Sequence, residues 1–574
     1  MMGFFVAATI AMPFSFGEVK VSCAEPGDWK VSCVREEPEK GVEIVTVTLD
    51  APGRRQPPKF TVGFQVPQVE MFYRWSVNDG NFTLPPNWGG ACESQFARHM
   101  PLYAFLNGND ESVLALAASE CTRFVNFKGG VREEGSLLEI DFRYFEKPEA
   151  PISHYETSVR IDTRRQYFGK AVSEGAAWIE RAGGYRIASA PPAAFDPLYS
   201  SWYSFHQDVF AKPLEEELEI AARLGMKTII LDDGWQTDDT GRGYAFCGDW
   251  EVSRRRFPDM AAHVKKVHDL GMKYMVWYAV SFVGLKSANY AKFKGKYLVD
   301  ELSDIGTAVL DPRFPEVRAF LVETYVKAVK AWDIDGLKLD FIDSFTLLPA
   351  TGDPAEKENY AGRDVHSVPE AVDRLMREIR AALAAVKSDI LLEFRQNYVG
   401  PGVRQLGNML RVGDCPGDMR RNRFAIANLR LVSGGTAVHS DMLEWNFAET
   451  PASAARYVIN SMFGVVQYSL MLRSAPREHR EMIEKWIRFS QEHRQTLLHG
   501  TFTPHHPELQ YPVIEAESDE ERIIGLYDDG RVLEIPDAKK TIVMNASGKD
   551  AFVIRRNGRL SEVACKSGDW IELK

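Results

Sequence analysis

The feature that most constrains the fold is a regular alternation of apolar strands and amphipathic helices between residues 199 and 500. Apolar segments that predict strands lie near residues 200, 229, 275, 338, 391, 410, 437 and 468. Apolar strands that alternate with helices favour a parallel sheet. Eight such units over roughly 290 residues predict a (β/α)8 barrel. A doubly wound open sheet is the alternative, but no glycine-rich phosphate loop follows the first strand.

Local signals mark the helix ends of this region. The tetrapeptide Leu-Gly-Met-Lys occurs at 224–227 and again at 270–273, each time between a predicted helix and a predicted strand. Prolines 213 and 258 predict the first turns of two helices. The segment from Ser367 to Glu370 is typical of a capping box that opens a further helix.

The flanking regions are rich in predicted β-structure. Residues 1–190 predict an N-terminal β-sandwich domain, residues 191–498 the catalytic barrel and residues 499–574 a C-terminal antiparallel β-sandwich domain. The stretch 189–197 predicts a linker, and Asp529-Gly530 and Asn557-Gly558 predict hairpin turns. The apolar N-terminal segment favours a first strand over a degenerate signal peptide, since it lacks a basic start and contains Pro13.

Composition excludes some classes of function. The net charge of −11 argues against nucleic acid as a partner, and no segment is apolar for long enough to span a membrane. The 7 cysteines are scattered without metal-ligand spacing, so we expect no structural zinc. We expect a cytoplasmic protein in a reducing compartment, and the sequence leaves homo-oligomerisation open.

Charged and aromatic side chains gather at the predicted strand ends. In the stretch GLKLDFIDSF, Lys338 and Asp340 lie two residues apart and therefore share one strand face. The other predicted strands carry Asp232-Asp233-Gly234-Trp235, Trp277, Glu393-Phe394-Arg395, Arg411 to Asp414, and His439-Ser440-Asp441. A lone strand-end aspartate is usually a turn or cap residue. In a barrel, however, all of these residues surround one mouth, where active sites lie.

Such a ring of side chains suits a sugar site. Two carboxylates can cleave a glycosidic bond when one attacks the anomeric carbon and the other protonates the leaving oxygen. A neighbouring ammonium keeps the attacking carboxylate ionised, which gives Lys338 a reason to lie beside Asp340. Paired aspartates can bind sugar hydroxyls, and tryptophan rings offer flat apolar faces.

These residues resemble a known family, the melibiase-type α-galactosidases of glycoside hydrolase family 36, over roughly residues 195–500. The resemblance is carried by Asp232 to Trp235, Gly248 to Trp250, Arg256 to Pro258, and the segments GMKYMVWY, LKLDF and MFGVVQYSL. It implies a β-supersandwich, a (β/α)8 barrel and a C-terminal β-domain. It also implies retaining hydrolysis of terminal α-galactosides through a covalent glycosyl-aspartate, on oligosaccharides or small α-glycosides, with no cofactor or metal.

The resemblance also implies roles for individual residues. Asp340 corresponds to the nucleophile and Asp414 to the acid/base, with Asp418 as the alternative acid/base. The residues implied to bind or line the sugar are Asp232, Asp233, Trp202, Trp277, Lys338 and Arg411. Arg395 departs from the family pattern, which has a cysteine and a glycine-rich run after this strand, and it suggests a modified or acidic sugar.

Two other functions are compatible with the same residues. In a metal-dependent barrel of the enolase type, Asp340, Glu393 and Asp414 would ligate magnesium and Lys338 would act as the base. A carbohydrate-binding protein with a disabled barrel is the non-enzymatic alternative.

Overall fold

The computed structural model describes residues 8–14, 17–78, 80, 82–346, 360–395, 397–536 and 539–573. Its centre is an 8-stranded parallel sheet. In chain order the strands are β1 (Leu198–Ser200), β2 (Thr228–Leu231), β3 (Lys273–Ala279), β4 (Gly336–Asp340), β5 (Leu391–Arg395), β6 (Met409–Arg411), β7 (Ala437–His439) and β8 (Gln467–Tyr468). The sheet closes where β7 meets the residues just before β8, since His439 pairs with Val465. The predicted strands and the (β/α)8 barrel are confirmed.

Helices connect and surround these strands. Those of the barrel region span Trp202–Phe205, Ala211–Leu224, Met260–Asp269, Pro315–Trp332, Val368–Ala384, Pro401–Arg404, Met419–Val432, Pro451–Ser461, Arg477–Glu492 and Arg494–His499. The repeated Leu-Gly-Met-Lys corner has one physical cause. Gly225 and Gly271 adopt φ of 103° and 77°, values at which a helix can reverse into the next strand and which a side chain disfavours.

The capping box predicted at Ser367 forms only in part. Ser367 is the N-cap of the helix Val368–Ala384, but its side chain makes no capping hydrogen bond. Glu370 instead forms an ion pair with Arg123 of the N-terminal region. A contact between regions distant in the chain therefore replaces the local one.

Two features of the barrel region were not predicted. A three-stranded antiparallel sheet and a short helix are inserted after β3, at Phe282–Gly284, Tyr297–Leu302, Thr307–Leu310 and Ala288–Lys292. The predicted linker contains a 3-10 helix, Pro192–Phe195, whose Ala194 is buried against apolar residues of the barrel strands. The Ala194 carbonyl accepts a hydrogen bond from His439 Nε2 at 2.8 Å. This segment therefore packs against the strands rather than running freely.

The N-terminal region consists of two facing sheets. The first contains Ala8–Phe14, Gly17–Cys23, Phe60–Pro67, Leu137–Tyr144, Val125–Val131 and Cys92–Ser94. The second contains Lys30–Glu39, Val42–Arg55, Ile152–Asp162, Glu111–Ala118, Leu102–Leu106 and Tyr73–Trp75, with Gln166–Tyr167 at its side. Their inward-facing residues form one apolar core, as period-two patterning requires. The helix Phe168–Ala182 leads towards the barrel.

The C-terminal region has two smaller sheets. One contains Thr501–His505, Val513–Glu517, Glu521–Leu526, Lys540–Asn545 and Asp569–Leu573, and the other Val532–Glu534, Ala551–Arg556 and Arg559–Ala564. The hairpin turn at Asn557-Gly558 is confirmed, since Arg556 pairs with Arg559. The hairpin predicted at Asp529-Gly530 is wrong, because the strands on either side of it belong to different sheets.

The described residues also bear on membrane-spanning helices and on the state of the cysteines. Within the described residues, no helix is both long enough and apolar enough to cross a membrane. All of the cysteines are free thiols.

Candidate active site

The predicted site residues of β2 to β6 meet at the carboxyl-terminal mouth of the barrel. Strand alternation sends Lys338 and Asp340 of β4 to the same side, and both are buried. In the ladder, Lys338 lies beside Trp277 of β3 and Glu393 of β5. Side chains that are far apart in the sequence therefore form one layer of the barrel interior.

Asp340 is the most heavily hydrogen-bonded acid of this layer. Its Oδ2 accepts from Trp277 Nε1 at 2.9 Å, and its Oδ1 accepts from Arg395 Nε at 2.6 Å and from the Phe341 backbone N–H at 2.7 Å. Burial alone would raise the pKa of Asp340, but the charges of Arg395 and Lys338 and these hydrogen bonds outweigh it and lower the pKa. The carboxyl group is therefore held ionised.

The backbone after Asp340 is strained. Phe341 has φ of 59°, in the left-handed region that costs a non-glycine residue about 1–3 kcal/mol and is frequent at functional sites. Its ring stacks on Phe282 at 4.6 Å and meets Tyr244 edge-on at 4.9 Å between centroids. The inserted sheet after β3 supplies Phe282, so this insertion helps to hold the mouth in shape.

Lys338 does not pair directly with Asp340. Its Nζ donates to Asp232 Oδ2 at 2.5 Å, and both side chains are almost completely buried. The direct ionic partner of Asp340 is Arg395, at 2.6 Å. Lys338 therefore lowers the pKa of Asp340 as a neighbouring charge while it orients Asp232.

Asp233 has different surroundings from Asp232. Its two oxygens accept from the side-chain amides of Gln207 and Gln236, each at 2.6 Å. Burial, together with the repulsion of Asp232, raises the pKa of Asp233 to about 6 despite these hydrogen bonds. The two adjacent acids therefore have different hydrogen-bond partners and differently oriented oxygens at the barrel mouth.

Asp414, just beyond β6, lies between two arginines. Arg411 Nη2 donates to its Oδ1 at 2.7 Å, and Arg395 Nη1 lies 3.5 Å from its Oδ2. Burial would raise the pKa of Asp414, but Arg411 and Arg395 hold it well below its ordinary range. The side chain is 45% exposed, so Asp414 is the more accessible of the two predicted catalytic acids.

One guanidinium therefore contacts both predicted catalytic acids. Arg395 ends β5 and extends between Asp340 of β4 and Asp414 beyond β6. Its plane also lies over the Phe341 ring at 5.2 Å. The residue that departs from the family pattern is thus in the centre of the mouth.

The remaining predicted residues lie further from this centre. Arg411 is buried behind Asp414 and also donates to Asp441. Trp202 is half-buried after β1, edge-on to His206 at 4.9 Å between centroids. Asp418 is exposed, and its carboxylate accepts from the Arg421 N–H at 2.9 Å as the N-cap of Met419–Val432.

Several residues without a predicted role support the site. Asp441 after β7 accepts from Tyr203 Oη at 2.8 Å and from the Cys415 N–H at 2.6 Å. Its position after a barrel strand was a usable signal. Gln207 and Gln236, which orient Asp233, carry no comparable signal, because a glutamine in a loop is ordinary.

The metal-dependent alternative requires one ion to be shared by Asp340, Glu393 and Asp414. Asp340 and Asp414 instead face arginines, and Glu393 is buried with its Oε2 accepting from Gln467 at 2.6 Å. Over the described residues, the side chains close enough together to hold a metal ion are those of Asp110, His506 and Glu508, away from the strand ends. The arrangement at the mouth does not favour magnesium.

A parallel barrel with a pair of acids and a ring of polar and aromatic side chains at its mouth is the arrangement expected of a glycosidase barrel. Within that class, residues 195–391 match the family model described as Melibiase. The resemblance to the melibiase-type α-galactosidases is confirmed.

Among known proteins, the chain is 27% identical over 172 residues to "Alpha-galactosidase Mel36A" of Lactobacillus acidophilus, covering 29% of this chain and 23% of that one. It is 23% identical over 323 residues to "Alpha-galactosidase AgaA" of Geobacillus stearothermophilus, covering 53% and 42%. The alignments therefore span less than half of these relatives. A crystal structure of a GH36 AgaA variant from that organism, in complex with raffinose, matches with a TM-score of 0.65 at 16% identity, covering 99% of this chain and 84% of that chain. This similarity confirms the fold.

Proposed function

We propose that the protein is a retaining α-glycosidase that hydrolyses terminal α-linked galactosides of oligosaccharides or small glycosides. The observation that carries the proposal is the contact of one guanidinium, that of Arg395, with the carboxylates of both Asp340 and Asp414. Acids that contact one guanidinium face the same space, and the retaining mechanism, which uses carboxyl groups about 5 Å apart, is the one that the resemblance implies.

Asp340 is the proposed nucleophile. Its lowered pKa keeps the carboxylate charged, and the N–H groups of Trp277 and Arg395 fix its orientation. Attack on the anomeric carbon forms a covalent ester between the sugar and Asp340 while the bond to the leaving oxygen breaks.

Asp414 is the proposed acid/base. It gives a proton to the leaving oxygen in the first step and takes one from water in the second. In the free protein, Arg395 and Arg411 keep Asp414 ionised. We infer that bound substrate must weaken the 3.5 Å contact with Arg395 before Asp414 can carry the proton.

Asp232, Asp233, Lys338 and Trp277 are proposed to bind the sugar, with Trp202 and Arg411 at its periphery. A neutral sugar is favoured over an acidic one, because the positive charge of Arg395 is already balanced by Asp340 and Asp414. The bound raffinose of the AgaA variant, an α-galactoside, supports the same choice. The N-cap position of Asp418 supports Asp414 as the acid/base.

The test is hydrolysis of nitrophenyl α-galactoside, α-N-acetylgalactosaminide and α-glucoside, with the anomer formed first identified by proton NMR. We expect the galactoside to be hydrolysed fastest and to release α-galactose first. Release of the β-anomer would contradict retention. Loss of turnover on chelation would restore the magnesium alternative, and absence of turnover on every glycoside would favour a binding protein.

We further propose a cytoplasmic location, domain boundaries near residues 190 and 498, and neither nucleic acid nor membrane as a partner. The free thiols support a reducing compartment. Cell fractionation tests the location, and limited proteolysis tests the boundaries. Light scattering decides whether the protein forms a homo-oligomer.

A further inference from the structure

A second polar cavity, of about 450 Å³, lies where the N-terminal, barrel and C-terminal regions meet. Its walls are Tyr73, Gly80, Phe82, Thr83, Met419, Arg420, Arg423, Arg456, Asn460, Glu508, Leu509, Gln510, Tyr527, Asp528 and Ala546. None of these residues belongs to the site at the barrel mouth. Three of its side chains are arginines, and a ligand of opposite charge would suit them.

Arg423 is a buried cation whose hydrogen-bond partners, among the residues that the structure describes, are neutral. It is 6% exposed, and it donates to the Gln510 carbonyl at 3.1 Å and to Asn460 Oδ1 at 2.9 Å. Its plane also lies over the Tyr527 ring at 4.4 Å. Burial lowers the pKa of Arg423 to about 10, because desolvation outweighs the attraction of the nearby acids. A buried charge without an ionic partner is costly, and an anion in the cavity would offset that cost.

Two more arginines add positive charge to the same walls. Arg456 is half-buried, and its Nε is shielded from solvent and lacks a hydrogen-bond partner. Arg420 lies at the exposed rim. Throughout the described part of the chain, neither Arg420 nor Arg456 forms an ion pair.

The acids of the cavity do not neutralise this charge. Glu508 lies 3.0 Å from His506 Nδ1 and so has a partner of its own. Asp528 is exposed and forms no ion pair within the described residues. The N-terminus of the helix Met419–Val432 is already capped by Asp418. Three arginines thus line a cavity that is large enough for a small ligand.

We propose that this cavity binds a sulfate or phosphate oxyanion, either as the free ion or as an ester on a carbohydrate. Guanidinium groups offer paired N–H donors whose geometry matches such oxyanions. The walls come from all three regions of the chain, so a bound anion would link them and stabilise the folded protein.

The experiment measures binding by calorimetry and the rise in Tm, with sodium chloride at matched ionic strength as the reference. The probes are inorganic sulfate, inorganic phosphate and galactose 6-sulfate, with galactose as the neutral control. The variants are Arg456→Gln and Arg420→Gln, and the matched control is Arg421→Gln, which removes an exposed arginine that does not line the cavity.

We expect saturable binding to the wild type, about ten- to a hundredfold weaker in Arg456→Gln and unchanged in Arg421→Gln. Equal affinity for the ion and the ester would assign the site to the oxyanion itself, and tighter binding of the ester would assign it to a substituted carbohydrate. Both variants should fold, because neither substituted guanidinium holds a hydrogen bond that folding requires, and unliganded Tm checks this.

Some outcomes would overturn the proposal. One is the absence of anion-specific binding. Another is anion binding that is equally tight in both cavity variants. A third is displacement of the anion by free galactose, because galactose should compete at the barrel mouth and not in this cavity.

Discussion

Arginines line both the barrel mouth and the cavity between the three regions, but within the described residues the ion pairs of these arginines lie at the mouth. Arg395 and Arg411 meet Asp340, Asp414 and Asp441 at hydrogen-bonding distance. Arg423, in contrast, donates to a carbonyl and an amide oxygen and forms no ion pair within the described residues. In the mouth the cations lower the pKa of the two carboxylates that we propose as catalytic. In the cavity the cations are left to attract an anion from outside.

The largest expected effect comes from removing a carboxylate from the mouth, so that its cations have fewer counter-charges, as in the cavity. Asp340→Ala removes the carboxylate that Arg395 and Lys338 stabilise and leaves an anion-sized hole beside their charges. We expect kcat to fall by roughly 10⁴-fold or more, because the covalent step is lost. Steady-state kinetics on an aryl α-galactoside measures the loss. Asp335→Ala, which removes a partly buried acid just before β4 and away from the mouth, controls for folding, and near-normal turnover by Asp340→Ala would end the assignment.

Asp414→Ala should give the next largest effect. Loss of general acid catalysis costs about 10²–10⁴-fold, and substrates with poor leaving groups should suffer most, since they depend on the donated proton. A series of aryl galactosides of graded leaving-group pKa measures this dependence. Equal losses across the series would point to another acid.

The sequence predicted the location of Asp340 and Asp414 at the mouth because their positions follow from local rules, and the resemblance implied their roles. Period-two alternation placed Lys338 and Asp340 on one face, and barrel architecture placed strand ends at one mouth. The ion-pair partners of these residues could not be predicted from local rules, because the partners lie on strands that are distant in the chain. Lys338 pairs with Asp232, and Arg395 takes the place beside Asp340.

The same limit explains the errors outside the site. Asn557-Gly558 forms its hairpin because the two strands pair with each other. Asp529-Gly530 does not, because each neighbouring strand finds a partner elsewhere. Residues 192–195 likewise pack against the barrel strands because an apolar surface is left uncovered there. The position of that surface follows from the assembled fold and not from the local sequence.

A third prediction sharpens the comparison by removing the central cation. Arg395 lowers the pKa of both Asp340 and Asp414. Catalysis needs Asp340 ionised, so activity falls at low pH as Asp340 gains a proton. Without Arg395 the pKa of Asp340 rises, and the acidic limb of the kcat/KM profile should therefore move to higher pH in Arg395→Gln. Arg421→Gln should leave the profile in place, and an unmoved profile in Arg395→Gln would contradict a direct electrostatic role.

The smallest effect concerns Asp418, the alternative acid/base. Asp418→Ala should lower the free energy of unfolding by about 1 kcal/mol, the usual cost of losing an N-cap. Its hydrolysis of aryl galactosides should stay close to that of the wild type. Urea denaturation measures the first quantity. If the loss of activity depended on the leaving group in Asp418→Ala and not in Asp414→Ala, Asp418 would be the acid/base instead of Asp414.

Chemical rescue of Asp340→Ala by azide tests the central claim most directly. If Asp340 attacks the sugar from the face opposite the leaving group, azide in the vacated space beside Arg395 should restore turnover and yield β-galactosyl azide from an α-galactoside. NMR identification of that product is the predicted result. Rescue that gives the α-azide, or no rescue by azide in a folded variant, would contradict the account.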